Sequence, residues 1–318
     1  MAMTRAPLCG SFLALGGMSL AVSSMLGAAT VRSEVRIAVI VSQDASPYQE
    51  VLDGFKQALE AQGVRAQFDV HALHGDGAKA EEALLGARQD GAGLLLALGS
   101  LGAQAAVREV RDIPVVAGLI LNADALAKSP NATAVVLEFP VETELRFLQR
   151  LLPGQRNVGV LFNPLENQAR IDAAARAAGA LGLTLYARKV VSPKELPDAL
   201  ESLNKRADVL WGVADQIVLN SRTARPILLF SLRNRIPFVG LSATWVKAGA
   251  LYALDRDYHD IGVQCGEMAF RILQGAAPST LPPVPPRKVV YTVNLKTARL
   301  LRLDLRAPVL QAAQAVIE

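Results

Sequence analysis

Residues 99–102, Gly-Ser-Leu-Gly, follow an apolar run at 93–98 and lead into a helical stretch at 103–111. Glycine permits a tight turn, Ser100 supplies a hydroxyl, and a helix start presents free N–H groups at its positive dipole end. Gly99, Ser100 and Gly102 together suit a carboxylate, although an ordinary turn capping a helix uses the same residues. Asp215 closes another apolar run, 208–213, where its carboxylate can either receive an ammonium group or cap the following segment. Asn163 and Asn167, with Glu166 between them, occupy the matching loop after 158–162 and carry the same two options. Ser42, Gln43 and Tyr48 follow the run 35–41, and Ser242 and Trp245 follow 237–241. Trp245, in a polar loop, offers an indole for stacking, whereas Trp211 lies inside a strand and reads as core.

Catalysis finds no constellation. His71 and His74 stand near Asp76 without a third ligand at a recognised spacing, and His259 opens a helix. No G-x-S-x-G elbow occurs, Cys265 falls mid-helix as a buried thiol would, and the phosphate-cradling G-x-G-x-x-G pattern is absent. The expectation is a protein with no catalytic residues, no metal and no cofactor.

The 318 residues are 51% hydrophobic and 5% aromatic, with a net charge of +4 spread along the helices, which argues against nucleic acid as a partner. Residues 1–29 form a separate region: Arg5, an apolar stretch over 8–26, then Gly27-Ala28-Ala29. That is the layout of a signal peptide for export to the periplasm, although the stretch is nearly long enough to remain as an anchor. Cys9 lies too early for a lipoprotein acceptor, and without the leader Cys265 is the only cysteine, so no intrachain disulfide can form.

Chemistry beyond strand ends needs elements to hold it there. Residues 35–63 and 156–183 repeat one pattern about 120 residues apart: an apolar run, a polar loop, and an amphipathic helix stopped by glycine. Alternating runs and helices continue in both halves, which makes the fold class α/β, with two Rossmann-like lobes of parallel sheet joined by a multi-strand hinge. The first lobe is expected over 35–137 plus 255–278 and the second over 138–254 plus 279–306, with 307–318 as a tail forming a short amphipathic helix. Ligands of such sheets bind beyond the carboxyl ends of the strands, so the loops above should line a cleft.

Six segments, in this order and spacing, carry a family resemblance: GFKQAL at 54–59, AAVREVRDIPVV at 105–116, VGVLFNP at 158–164, DQIV at 215–218, GALYALDRDYHDIG at 249–262 and VNLKTARLLRL at 293–303. The chain resembles the periplasmic substrate-binding proteins of ABC importers, in the subfamily with tryptophan- and tyrosine-binding members, over almost all of 35–305. The resemblance implies a type I binding-protein fold, a monomer that closes over a small-molecule ligand, an amino acid or related carboxylate, and delivers it to an ABC permease. A ligand-sensing module signalling to a membrane receptor is the alternative use of the same fold. Leu101-Gly102 replaces the commoner Pro-Ala, the Ser242 loop lacks its usual acidic residue, and Asp255 stands where glycine is usual.

Overall fold

The computed structural model describes residues 34–126 and 129–318, so the expected leader lies outside the described residues. Strands β3 (Leu94–Leu98) and β4 (Val115–Ile120) are uninterrupted apolar runs, and β1 (Val35–Val41) is broken only by exposed Arg36 near its start, as strands covered on both faces require of their centres. With β2 (Ala66–Ala72) and β5 (Ala132–Val136) at the edges, they form a parallel sheet in the order β2-β1-β3-β4-β5. Helices α2 (Ala78–Gln89) and α3 (Ser100–Glu109) cover one face. The other face is covered by α1 (Ser46–Ala61) and by α9 (Tyr258–Leu273), a helix that comes some two hundred residues later in the chain. Cys265 is buried there, and burial pushes its thiol up to about 12.

The second sheet begins after α4 (Val141–Leu151) with β6 (Asn157–Phe162), α5 (Pro164–Ala180), β7 (Thr184–Lys189) and α6 (Leu196–Leu203). It continues through β8 (Val209–Trp211), α7 (Ala224–Asn234), β9 (Phe238–Gly240), α8 (Ala243–Ala248) and β10 (Tyr252–Arg256). After α9 the chain returns as β11 (Val289–Asn294), α10 (Leu295–Leu301), α11 (Ala307–Gln311) and β12 (Ala315–Ile317). The order is β12-β11-β10-β9-β8-β6-β7, parallel except for the antiparallel β10–β11 pair. The expected tail helix therefore spans only Ala307–Gln311. The rest pairs with β11, because that strand has a free edge and Ala315–Ile317 is apolar enough to take it.

Three segments pass between the sheets, one leaving β5, one leaving β10 and one entering β11; the first is tied to the end of β10 and the third to α9. The first, leaving β5, carries Leu137 to Pro140, and Arg256 at the end of β10 donates to the Leu137 carbonyl (2.8 Å) while its guanidinium lies 4.6 Å from the Phe139 ring. The third runs from the Pro-rich link, where Val284 still bridges Val135 of the first sheet, to β11. In that segment Arg287 binds the buried Asp260 carboxylate of α9 through Nε at 3.0 Å, and Lys288 binds it at 3.2 Å. The structure thus carries the link along the first sheet as far as Val284, past residue 279, where the sequence reading began the second lobe.

Helices α1 and α9 cross almost backbone to backbone. A Cβ on Gly262 would lie 2.0 Å from the Val51 carbonyl oxygen, and one on Gly54 would lie 2.0 Å from that of His259. No helix among the described residues is long and apolar enough to cross a membrane.

Candidate functional site

Where the carboxyl ends of β8, β9 and β10 meet the first crossing segment, a cavity of about 280 Å³ opens. Its apolar wall is Trp211, Val213, Val239, Tyr252 and Phe139, and Leu121 reaches it from beyond the end of β4. Two acids and two bases stand among them: Glu138, Glu144, Arg170 and Arg256. Arg170, from the second turn of α5, pairs with Glu138 and, at 2.8 Å, with Glu144, while its guanidinium lies 5.8 Å from the Trp211 ring. Glu144 also accepts the Trp211 indole N–H at 3.0 Å. Burial pushes the Glu144 carboxyl above the usual range, against the opposing pull of Arg170 and the indole, and the phenol of fully buried Tyr252 is raised by burial and by Glu144. The indole is therefore held at its edge by a carboxylate and on one face by a cation, so its orientation is fixed before any ligand arrives.

Of the residues singled out from sequence, Asn167 lines this cavity. Its Nδ2 donates to the Ala214 carbonyl (3.0 Å) and to Asp215 Oδ2 (3.1 Å). Asp215 is buried and fully occupied: Oδ2 also takes the Asn163 N–H at 2.6 Å, and Oδ1 takes the N–H groups of Ile217 and Val218, both at 2.8 Å. Four donors saturate a carboxylate. The capping role is the one the geometry satisfies, with no acceptor site left for a ligand ammonium. Asn163 caps α5 through Leu165 N–H at 3.1 Å and donates to Glu166 at 2.7 Å. Asp215→Asn would turn an amide NH₂ toward two N–H donors, and a loss of about 3 kcal/mol of stability is expected in urea unfolding.

In the first lobe, Ser42, Tyr48, Gly99, Ser100 and Gly102 come together. Ser42 Oγ, buried, accepts the Gly102 N–H at 3.0 Å. Gly99 has φ +88°, and a Cβ there would lie 2.7 Å from Ser42 Oγ and 2.8 Å from the Tyr48 hydroxyl. Glycine is required at this turn on both counts. Ser100, the first residue of α3, is exposed, as is Gln43. The turn thus leaves Ser100, at the start of α3, open to solvent.

Ser242 and Trp245 do not form the expected loop. Ser242 is the residue before α8, and Trp245, inside that helix, packs its ring edge on Phe238 with centroids 5.7 Å apart. Ala243–Ala248 makes under two turns, too short for periodicity to announce a helix, and the indole found an apolar neighbour in its own lobe. The tryptophan facing the cavity is Trp211. Being the last residue of β8 and followed by Gly212 was the available sign, since strand ends are where such sheets present side chains. Glu138, Glu144 and Arg170 carried no motif, and Tyr252 and Arg256 stood inside the 249–262 segment without being singled out.

A family model described as ABC transporter substrate binding protein matches residues 34–317. The chain belongs to this family. One similar protein is a tyrosine-binding protein of Clostridioides difficile (strain R20291), 24% identical over 223 residues. That match covers 66% of this chain and 63% of the relative, slightly less than two thirds of its length. Among solved structures of substrate-binding proteins, the ligand-free, open structure of CD0873 from Clostridium difficile, described as having adhesive properties, has a TM-score of 0.75 at 21% identity, covering 89% of this chain and 99% of that one. An ABC domain from Streptococcus pneumonia in complex with L-Trp has a TM-score of 0.58 at 22% identity, covering 90% and 100%. What this chain shares with these structures is the fold, two sets of strands that here are parallel except for the β10–β11 pair.

Proposed function

We propose that this protein is the extracytoplasmic binding component of an ABC importer, capturing an amino acid with an aromatic or apolar side chain and handing it to a permease. The cavity carries the reading: an indole locked by Glu144 and Arg170, beside Phe139 and Tyr252, in a space of about 280 Å³. Such walls suit a flat apolar group. The paired charges around it suit a zwitterion without requiring a net-charged ligand. The exposed start of α3 at Ser100 receives the carboxylate when the lobes close about the tied crossings, and contacts made only in the closed form shift the population toward it. The names of two similar proteins, one binding tyrosine and one solved with L-Trp, support this ligand class. Export by residues 1–29 and residence in the periplasm belong to the same proposal.

The test is a thermal-shift screen of the mature chain against the amino acids and simple carboxylates. At one hundred times its Kd, a true ligand is expected to raise Tm by roughly 5 °C, and Ser100→Ala to reduce that rise. If no zwitterion or carboxylate moves the melting point, the amino-acid reading fails.

A further inference from the structure

Leu121 is a large apolar side chain left 58% exposed at the mouth of the cavity. The way β4 brings it there is unusual. Val115 and Ala117 pack with α2 and α3, and Val116 packs with α1 and α9 on the opposite face, as strict alternation requires. Gly118 also faces the α1 and α9 side, since a Cβ there would lie 3.3 Å from Cys265 Sγ. Leu119 then repeats that face instead of alternating, and Ile120 returns to the first. The pairing of β4 with β5 slips between Ala117 and Ile120, and Leu119 takes φ +57°, a left-handed conformation that a non-glycine residue adopts only where its surroundings impose it. This is a β-bulge, and it reverses the direction of every side chain after it.

The backbone beyond the bulge is fixed. Leu137 and Glu138 of the first crossing segment donate to the carbonyls of Ile120 (2.7 Å) and Leu121 (3.0 Å). Among the described residues lining the cavity, Leu121 is the one that comes from the first lobe, directly after β4; Glu138 and Phe139 come from the crossing and the remainder from the second lobe. An anchored backbone with an unpacked apolar side chain over the cavity is arranged to meet something other than the protein's own core.

We infer that Leu121 is a specificity-determining residue, the first-lobe wall that closes on the ligand side chain and sets the size the cleft accepts. This rests on the amino-acid reading above. Because the side chain is exposed, its substitution leaves the core intact. The test measures Kd by calorimetry for L-alanine, L-valine, L-leucine, L-phenylalanine, L-tyrosine and L-tryptophan with wild type, Leu121→Ala, Leu121→Trp and Leu121→Met. Leu121→Trp is expected to move the preference toward small side chains, changing the ratio of the largest to the smallest bound ligand by about tenfold, with Leu121→Ala moving it the other way and Leu121→Met keeping the wild-type order. An unchanged rank order in both Leu121→Ala and Leu121→Trp, with wild type still binding, overturns the inference alone. A wild type that binds none of the six overturns it together with the reading it rests on.

Discussion

Gly262→Ala is expected to lower the free energy of unfolding by about 3 kcal/mol, the upper end for overpacking, and Gly54→Ala by a similar amount. In each, the added methyl would stand 2.0 Å from a backbone carbonyl oxygen of the facing helix. A flexible side chain can swing aside, but a carbonyl inside a helix cannot, so α1 and α9 would have to separate. Their separation would open the face that buries Val51, Phe55, Leu59, Ile261 and Cys265. Gly179→Ala supplies the control: Gly179 lies in α5, nothing stands within 4 Å of its added Cβ, and alanine there should stabilise by up to about 1 kcal/mol through helix propensity. Urea unfolding of the three variants checks the contrast. Equal effects in all three would mean that helix propensity, not the close crossing, is what these glycines govern.

Trp211→Ala should weaken an aromatic ligand by about thirtyfold or more, as removal of a central aromatic anchor does. The substitution removes the indole that Glu144 and Arg170 hold, and it leaves Glu144 with one fewer donor. Trp211 is itself buried, so the fold must be verified by circular dichroism and Trp211→Phe measured alongside; the phenyl keeps most of the packing while losing the indole N–H. Trp245→Phe should change affinity less than about twofold, within the range of substitutions away from a hot spot. The chain has two tryptophans, so fluorescence separates them: a bound ligand should alter the emission of the Trp245→Phe protein and leave that of Trp211→Phe nearly unchanged. The reverse result would return the site to the Ser242 loop.

The lobes were legible because their strands are blunt signals. LLLAL at Leu94–Leu98, between Gly93 and Gly99, and VVAGLI at Val115–Ile120, opened by Pro114, are apolar throughout, so local composition decides them. The turn at Gly99 was legible for a similar reason, since a positive φ beside Ser42 and Tyr48 leaves glycine as the only fit. The charged cluster was not. Glu138, Glu144 and Arg170 lie on a crossing segment and two helices, 26 and 32 residues apart for the two ion pairs, and only the packing of α4 against α5 brings them to one indole. Asp215 was correctly placed at the end of an apolar run, yet whether its oxygens face a ligand or four N–H groups depends on where Asn163 and Asn167 return in space. The bulge in β4 left no sign at all, because the left-handed residue is Leu119 and not the glycine before it.

The late arrival of α9 also orders the assembly of the chain in time. The apolar side of α1 and the central strands of the first sheet remain uncovered until residues 258–273 have been added, after β6 through β10 are already complete. The amino-terminal half therefore cannot finish its own core during synthesis and must wait, unburied, for the distant helix. A chain that stays loose into its last fifth is one that can still be threaded through a narrow channel.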